Sequence, residues 1–148
     1  PGEELRWFRM GALLHDVGRI VLPDSVYANP GPLTDAERAG VREHPAAGEG
    51  IAKQLGFLDG ALPLIRHHHE RWDGGGYPDG LAGRSIDPLT RILTLADAFE
   101  AMTSPRPHRH GRSRRAALAE LADGAGTQFD PALIEPFAHC LDGHFGGD

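Results

Sequence analysis

At 148 residues, with 40% hydrophobic and 24% charged side chains, the chain is long enough for one soluble domain with its own core. A net charge of -6 argues against a general nucleic-acid binder, and no apolar run approaches the roughly 20 residues of a membrane span. A single cysteine, Cys140, excludes an internal disulfide and suits a reducing cytoplasm, and nine histidines are the compositional anomaly.

The chain starts at Pro1 without a methionine, so it is expected to be a piece of something longer. From Glu3 to Val17 the residues Leu5, Phe8, Ala12 and Leu13 recur at helical spacing, with Gly18 placed to stop the helix. His15 and Asp16 then fall in its last turn. Arg19 follows, and a loop runs through Pro23, Pro30 and Pro32. Thr34 opens the next helix, with Glu37 three residues on as a capping box. That helix is expected to end at His44, because Pro45 disfavours helical geometry in the residue before it. Pro45 then starts a further helix closing at Gly56, which leaves His44 at a helix–helix corner.

A helix from about Ala61 to Arg71 carries His67, His68 and His69. Successive helical residues turn by about 100°, so three adjacent rings cannot face one way but two can. Residues 73–88, with five glycines and two prolines, read as an irregular loop with room for a short hairpin. Pro88 starts a helix whose apolar face is Leu89, Ile92, Leu93, Ala96, Phe99 and Met102. Asp97 is set within that pattern, and a buried carboxylate is costly unless paired or coordinated. Pro105 and Pro107 lead into a basic stretch containing Arg106, His108, Arg109, His110, Arg112, Arg114 and Arg115. Ser113 caps a helix to Asp123, ended by Gly124, and Asp130-Pro131 starts a last helix to about Leu141. Residues 1–142 form one domain and 143–148 a flexible tail. With no β-alternation of useful length, the fold class is all-α.

His15, Asp16, His44, two of His67–His69, and Asp97 make a nitrogen-and-carboxylate inventory suited to iron, manganese or zinc, and too rich in nitrogen for a simple magnesium site. Six candidate ligands exceed one tetrahedral site. They suit two ions sharing a bridging carboxylate, for which Asp16 is the best placed. Two ions about 3.5–4 Å apart activate a bridging water and stabilise both oxygens of an in-line displacement at phosphorus. Arginines supply bidentate phosphate contacts, and a cluster follows the Asp97 helix. A basic stretch is by default only a solvated face, and that reading stands beside this one for Arg112, Arg114 and Arg115. The combination reads as a metal-dependent phosphodiesterase.

His15-Asp16 resembles the signature of the HD metal-dependent phosphohydrolase superfamily. The run from His68 through Gly76-Tyr77-Pro78, the run Ala96–Thr103, and Gly126-Thr127-Gln128-Phe129-Asp130-Pro131 are similar to motifs of its HD-GYP branch, over about residues 5–142. The resemblance implies an HD-domain helical bundle with an irregular glycine-rich loop. It implies hydrolysis of the bacterial second messenger cyclic di-GMP to pGpG, often on to GMP, at two or three metal ions, commonly iron or manganese. By resemblance the metal ligands are His15, Asp16, His44, His68, His69 and Asp97, with His67 the odd one out. Asp16 and Arg19 are the catalytic candidates, Arg19 standing where the family has a lysine that contacts substrate phosphate. Arg106 and Arg109 match positions that grip phosphate, and Gly76, Tyr77 and Pro78 form the loop beside the substrate, linked in the family to docking of diguanylate cyclase domains.

Arg19 for lysine, Glu100 for a common aspartate and His108 for a common tyrosine depart from the pattern, and Arg19 is not a conservative swap in a tight site. The family's catalytic domain also begins with helices that add a histidine to the metals, and this chain is expected to be incomplete there. A sensory or receiver domain is expected upstream, and the uncovered apolar face of the first helix is expected to favour a homodimer. Three readings are open: a cyclic di-GMP phosphodiesterase, a non-hydrolytic cyclic di-GMP receptor or partner-docking module, and a phosphohydrolase of other nucleotides.

Overall fold

Apolar residues at helical spacing become seven α-helices in the computed structural model, which describes residues 2–28, 31–105 and 110–145. In chain order they are α1 (Gly2–Leu14), α2 (Asp24–Ala28), α3 (Asp35–Leu55), α4 (Leu62–His67), α5 (Pro88–Thr103), α6 (Arg114–Asp123) and α7 (Pro131–Phe145). Short 3-10 turns cover Val17–Val21, Asp59–Ala61 and Gly83–Ser85. Among the described residues the only β pairing is an isolated bridge between Ala125 and Phe129, so the fold is all-α as its periodicity predicts. Among the described residues no helix is long and apolar enough to cross a membrane.

Two apolar clusters hold the helices. Ala52, Leu58, Ala61 and Ile65 are buried between α3 and α4, with Trp7, Met10 and Leu14 of α1 packed against them. Leu95, Leu121 and Phe129 form the second, flanked by Phe99 of α5 and Phe137 of α7 in edge-to-face contact. Each fully buried leucine or isoleucine contributes about 1.5–3 kcal/mol. Leu95, 1% exposed, belongs to the α5 core face although its sequence position is beside the predicted stripe.

Several predicted boundaries move. The first helix ends at Leu14 rather than Val17, so His15 and Asp16 occupy a turn beyond it. Gly18 is not a helix stop: it is buried where the 17–21 turn crosses α3, and a Cβ there would overlap the His44 carbonyl oxygen and the Gly48 nitrogen. The predicted loop after Arg19 contains α2. The two helices expected to meet at His44 are one, α3, with Pro45 inside it. Both His44 and Pro45 are buried, and that packing overrides the local preference against a helical residue before proline. The capping box of Thr34 and Glu37 and the Gly56 cap stand as read.

The histidine helix is shorter than predicted: α4 ends at His67, and His68 and His69 form a turn. Residues 73–87 hold a 3-10 turn and no hairpin. The last helix runs to Phe145, past the predicted Leu141 and into the expected tail. Arg106 and Arg109 lie outside the described residues, as does His108.

Candidate metal centre

One local device sets three of the histidines. Each ring turns its Nδ1 toward the backbone carbonyl three residues earlier: His15 to Ala12 at 2.9 Å, His44 to Val41 at 2.6 Å, His68 to Ile65 at 2.9 Å. A carbonyl only accepts, so Nδ1 carries the proton and Nε2 keeps its lone pair. The reason these carbonyls are open is sequence-local. Ala12 and Ile65 lie in the last turns of α1 and α4, where carbonyls lose their helical partners. Val41 lies in mid-helix, but the residue four ahead is Pro45, which has no N–H to give it.

The lone pairs converge. His44 Nε2 and His68 Nε2 are 3.2 Å apart, and Asp16 Oδ1 lies 3.2 Å from the first and 3.8 Å from the second. With His69, these residues offer four ligand atoms within 4.8 Å of one another. The other Asp16 oxygen, Oδ2, is 3.5 Å from His15 Nε2, which in turn is 3.7 Å from Asp97 Oδ1. All six predicted ligands are thus brought to one place, by the end of α1, mid-α3, the end of α4 and α5. Asp97 is half-buried rather than sunk in the core.

Electrostatics make this a cation site. Burial opposes ionisation of Asp16, but the facing His44 and His68 rings and the Arg19 cation outweigh it and hold the carboxyl well below the usual carboxylate range. Burial pushes the His68 imidazole down, and burial with the neighbouring His68 and His44 pushes His69 down to about 3. The buried His68 and His69 rings are thus held toward their neutral forms beside an ionised Asp16 carboxylate. Asp16 Oδ1 is buried and accepts no hydrogen bond, although Arg19 Nε is 2.8 Å away as an ion pair. Nitrogen and carboxylate donors with an orphaned oxygen fit a divalent transition-metal ion.

The glycine-rich loop closes over this group. Tyr77 donates its N–H to the His69 carbonyl at 3.2 Å, and its ring stacks on His69 with centroids 4.9 Å apart. Gly76 presses so closely on the 69–71 backbone that a Cβ would overlap it, and the Tyr77–Pro78 peptide is cis. A cavity of about 250 Å³ opens beside His68, His69 and Asp97, bounded also by Tyr77, Arg71 and Gln128. Arg19 is presented by the 17–21 turn, whose carbonyl at Arg19 accepts from the Tyr27 hydroxyl at 2.6 Å.

Four supporting residues are given no role by the sequence, although Glu70 lies within the run that carries the family resemblance. Glu70, 1% exposed, accepts from the Asp79 and Leu81 N–H groups at 2.7 and 3.0 Å and so fixes the loop. Asp79 takes a two-pronged contact from Arg66 at 2.8 Å and one from His67 at 2.9 Å, which accounts for the odd histidine of the triplet. Thr94 of α5 donates to the His68 carbonyl at 3.0 Å. Arg42 of α3 lies over the Tyr77 ring, 4.7 Å from its centroid. Glu100, one of the departures, is exposed and accepts from the Ser104 hydroxyl at the end of α5.

A family model described as an HD domain matches residues 1–133. The chain is 44% identical over 136 residues to the cyclic di-GMP phosphodiesterase response regulator RpfG of Xanthomonas campestris, covering 90% of this chain and 36% of that protein. It is 42% identical over 133 residues to a cyclic di-GMP phosphodiesterase of Vibrio cholerae, covering 85% of this chain and 27% of that protein. Its fold superposes on the crystal structure of a cyclic GMP-AMP specific phosphodiesterase of V. cholerae with a TM-score of 0.72 at 22% identity, over 95% of this chain and 39% of that one. The chain thus spans about a third of the length of the curated relatives it matches. With the family match running from the first helix to the start of α7, and the histidine–aspartate pair at the centre of the converging ligands, the chain belongs to the HD-domain family.

Proposed function

We propose that this chain is a metal-dependent phosphodiesterase domain that hydrolyses cyclic di-GMP to pGpG, GMP or both. The observation that carries the proposal is the division of Asp16 between two donor sets. Oδ1 faces His44 and His68, with His69 beside them, and Oδ2 faces His15 and through it Asp97. Such a carboxylate suits a bridge between two ions, iron or manganese by the nitrogen-rich donors, and a third is compatible with the open cavity. Bound there, the ions would act as Lewis acids that activate water and neutralise phosphate charge. Arg19 offers its guanidinium to a phosphoryl oxygen once Asp16 is engaged elsewhere, and Tyr77 with Pro78 walls the same side. Arg106 and Arg109 are proposed to grip phosphate from the segment after α5. Relatives named as cyclic di-GMP phosphodiesterases support the substrate.

Further features belong to the same reading. The lone cysteine and the nature of the substrate support a cytoplasmic setting. A relative named as a response regulator supports an upstream sensory or receiver domain in the full-length protein. The 76–78 loop is proposed to dock diguanylate cyclase domains. Leu5 and Leu13 of α1, 48% and 80% exposed, support a homodimer through that face.

The deciding experiment incubates manganese- or ferrous-iron-loaded protein with cyclic di-GMP and separates the products by chromatography, with Asp16→Asn as control. Production of pGpG or GMP by the parent protein alone supports the proposal. Tight binding of cyclic di-GMP without any product would make the chain a receptor instead. Turnover confined to other nucleotides would make it a phosphohydrolase of a different class.

A further inference from the structure

Arg42 sits two residues before His44 on α3, so the helix that supplies a metal-type histidine also sets the position of this guanidinium. Its Cζ is 4.7 Å from the centroid of the Tyr77 ring, and Tyr77 in turn stacks on His69. Among the described residues Arg42 makes no ion pair and no hydrogen bond, in contrast to Arg19, which is engaged by Asp16 at 2.8 Å. Arg66, Arg71 and Arg91 each have a carboxylate partner at 2.6–2.9 Å. Arg42 is therefore a cation next to the candidate centre that pairs with no carboxylate among the described residues.

A guanidinium held over an aromatic ring uses its π face for the contact and keeps its N–H fork free in the plane. That is a pre-organised arrangement for phosphate, since little side-chain freedom is left to lose. A cyclic dinucleotide carries two phosphodiesters on one ring. One must reach the metal ligands to react, and the other is then held away from them and needs its own counter-charge. Resting on the cyclic dinucleotide reading above, we propose that Arg42, held by Tyr77, binds the second, non-reacting phosphodiester of the substrate. Arg42 would thereby help select cyclic dinucleotides over diesters with a single phosphate.

The test compares the parent protein, Arg42→Gln and Arg42→Lys, all loaded with manganese. A hydrolysis-resistant phosphorothioate analogue of cyclic di-GMP is titrated calorimetrically at several salt concentrations. Hydrolysis of bis(p-nitrophenyl) phosphate, which has one phosphodiester, is measured beside it. Arg42→Gln is expected to weaken analogue binding about tenfold and to flatten its salt dependence, as loss of one phosphate contact does. Arg42→Lys should restore part of both. Metal content, melting temperature and hydrolysis of the small diester should be unchanged. Unaltered affinity and salt slope in Arg42→Gln, with the parent binding normally, would overturn the assignment of Arg42 alone. Affinity lost together with metal content and melting temperature would reduce Arg42 to a support for the loop and also overturn it. A parent protein that hydrolyses the small diester but does not bind the analogue would overturn the cyclic dinucleotide reading itself.

Discussion

At the scale of single residues, the candidate centre depends on proton placement. His15, His44 and His68 each commit Nδ1 to a backbone carbonyl, which leaves Nε2 able to coordinate without first losing a proton. Asp16 lies within 4 Å of all three Nε2 atoms. Asp16→Ala and His15→Ala are therefore expected to remove bound metal while circular dichroism keeps its helical signal. Elemental analysis decides this, and full metal occupancy in both variants would remove the basis of the site. The same burial predicts a pH dependence. His69 is pushed down to about 3 from an unfolded value of 6.5, and His68 is pushed down as well. As pH falls below 6.5 the unfolded chain takes up protons that the folded chain refuses, so stability is full above that pH and is lost toward 3. Metal-free protein should lose up to about 1.4 kcal/mol per pH unit through His69 between pH 6.5 and 5. His69→Gln should flatten that slope in thermal melts, and an unchanged slope would refute the assignment.

At the scale of elements, α3 shows how a local exception serves the centre. An interior proline normally weakens a helix, because it removes one hydrogen bond and crowds the carbonyl four residues back. Here the carbonyl so freed, that of Val41, is the acceptor for His44 Nδ1. Pro45→Ala would return an N–H to compete for Val41 and loosen the ring. Metal affinity is then expected to fall about tenfold, the lower end for loss of an outer contact to a metal-binding histidine. Helix content should not change. A chelator-competition titration checks this, and equal affinities would show that the Val41 contact does not orient the ring. The α4 end and the 73–81 loop are coupled in the same way. Glu70 holds the loop by two backbone N–H groups, while Arg66 and His67 hold it through Asp79.

At the scale of the whole molecule, ligands from α1, α3, α4 and α5 make metal binding a link between elements otherwise joined by apolar packing. An ion that binds the folded but not the unfolded chain stabilises it by mass action, about 2.7 kcal/mol at a hundredfold excess over Kd. Dialysis against chelator should therefore lower the melting temperature, and manganese or ferrous iron should restore it. Asp16→Ala should melt at the same temperature with and without metal. A parent protein whose melting point ignores the metal would contradict a site shared among four helices. The Leu95–Leu121–Phe129 cluster, farther along the chain, contributes none of the ligands and should be unaffected.

The sequence by itself was enough for the all-α class, the Thr34–Glu37 cap, the starts of α5, α6 and α7, and a ligand inventory of His15, Asp16, His44, two of His67–His69, and Asp97, among which only the family resemblance chose His68 and His69. Those features rest on periodicity, capping chemistry and residue type, which are local. What it could not supply was where helices stop when packing competes with local preference. Pro45 reads as a boundary because the rule concerns neighbours in the chain, whereas the burial of His44 and Pro45 against the 17–21 turn holds α3 straight through. Gly18 reads as a helix stop, yet it is needed for a close approach to α3 that involves residues some 26 to 30 positions away. Asp79, Thr94 and Arg42 look like ordinary polar residues in sequence, and Glu70 stands in a motif without a role of its own. Their roles exist only once α3, α4, α5 and the loop are folded against one another, because a hydrogen bond or a stacked cation is defined by distance in space.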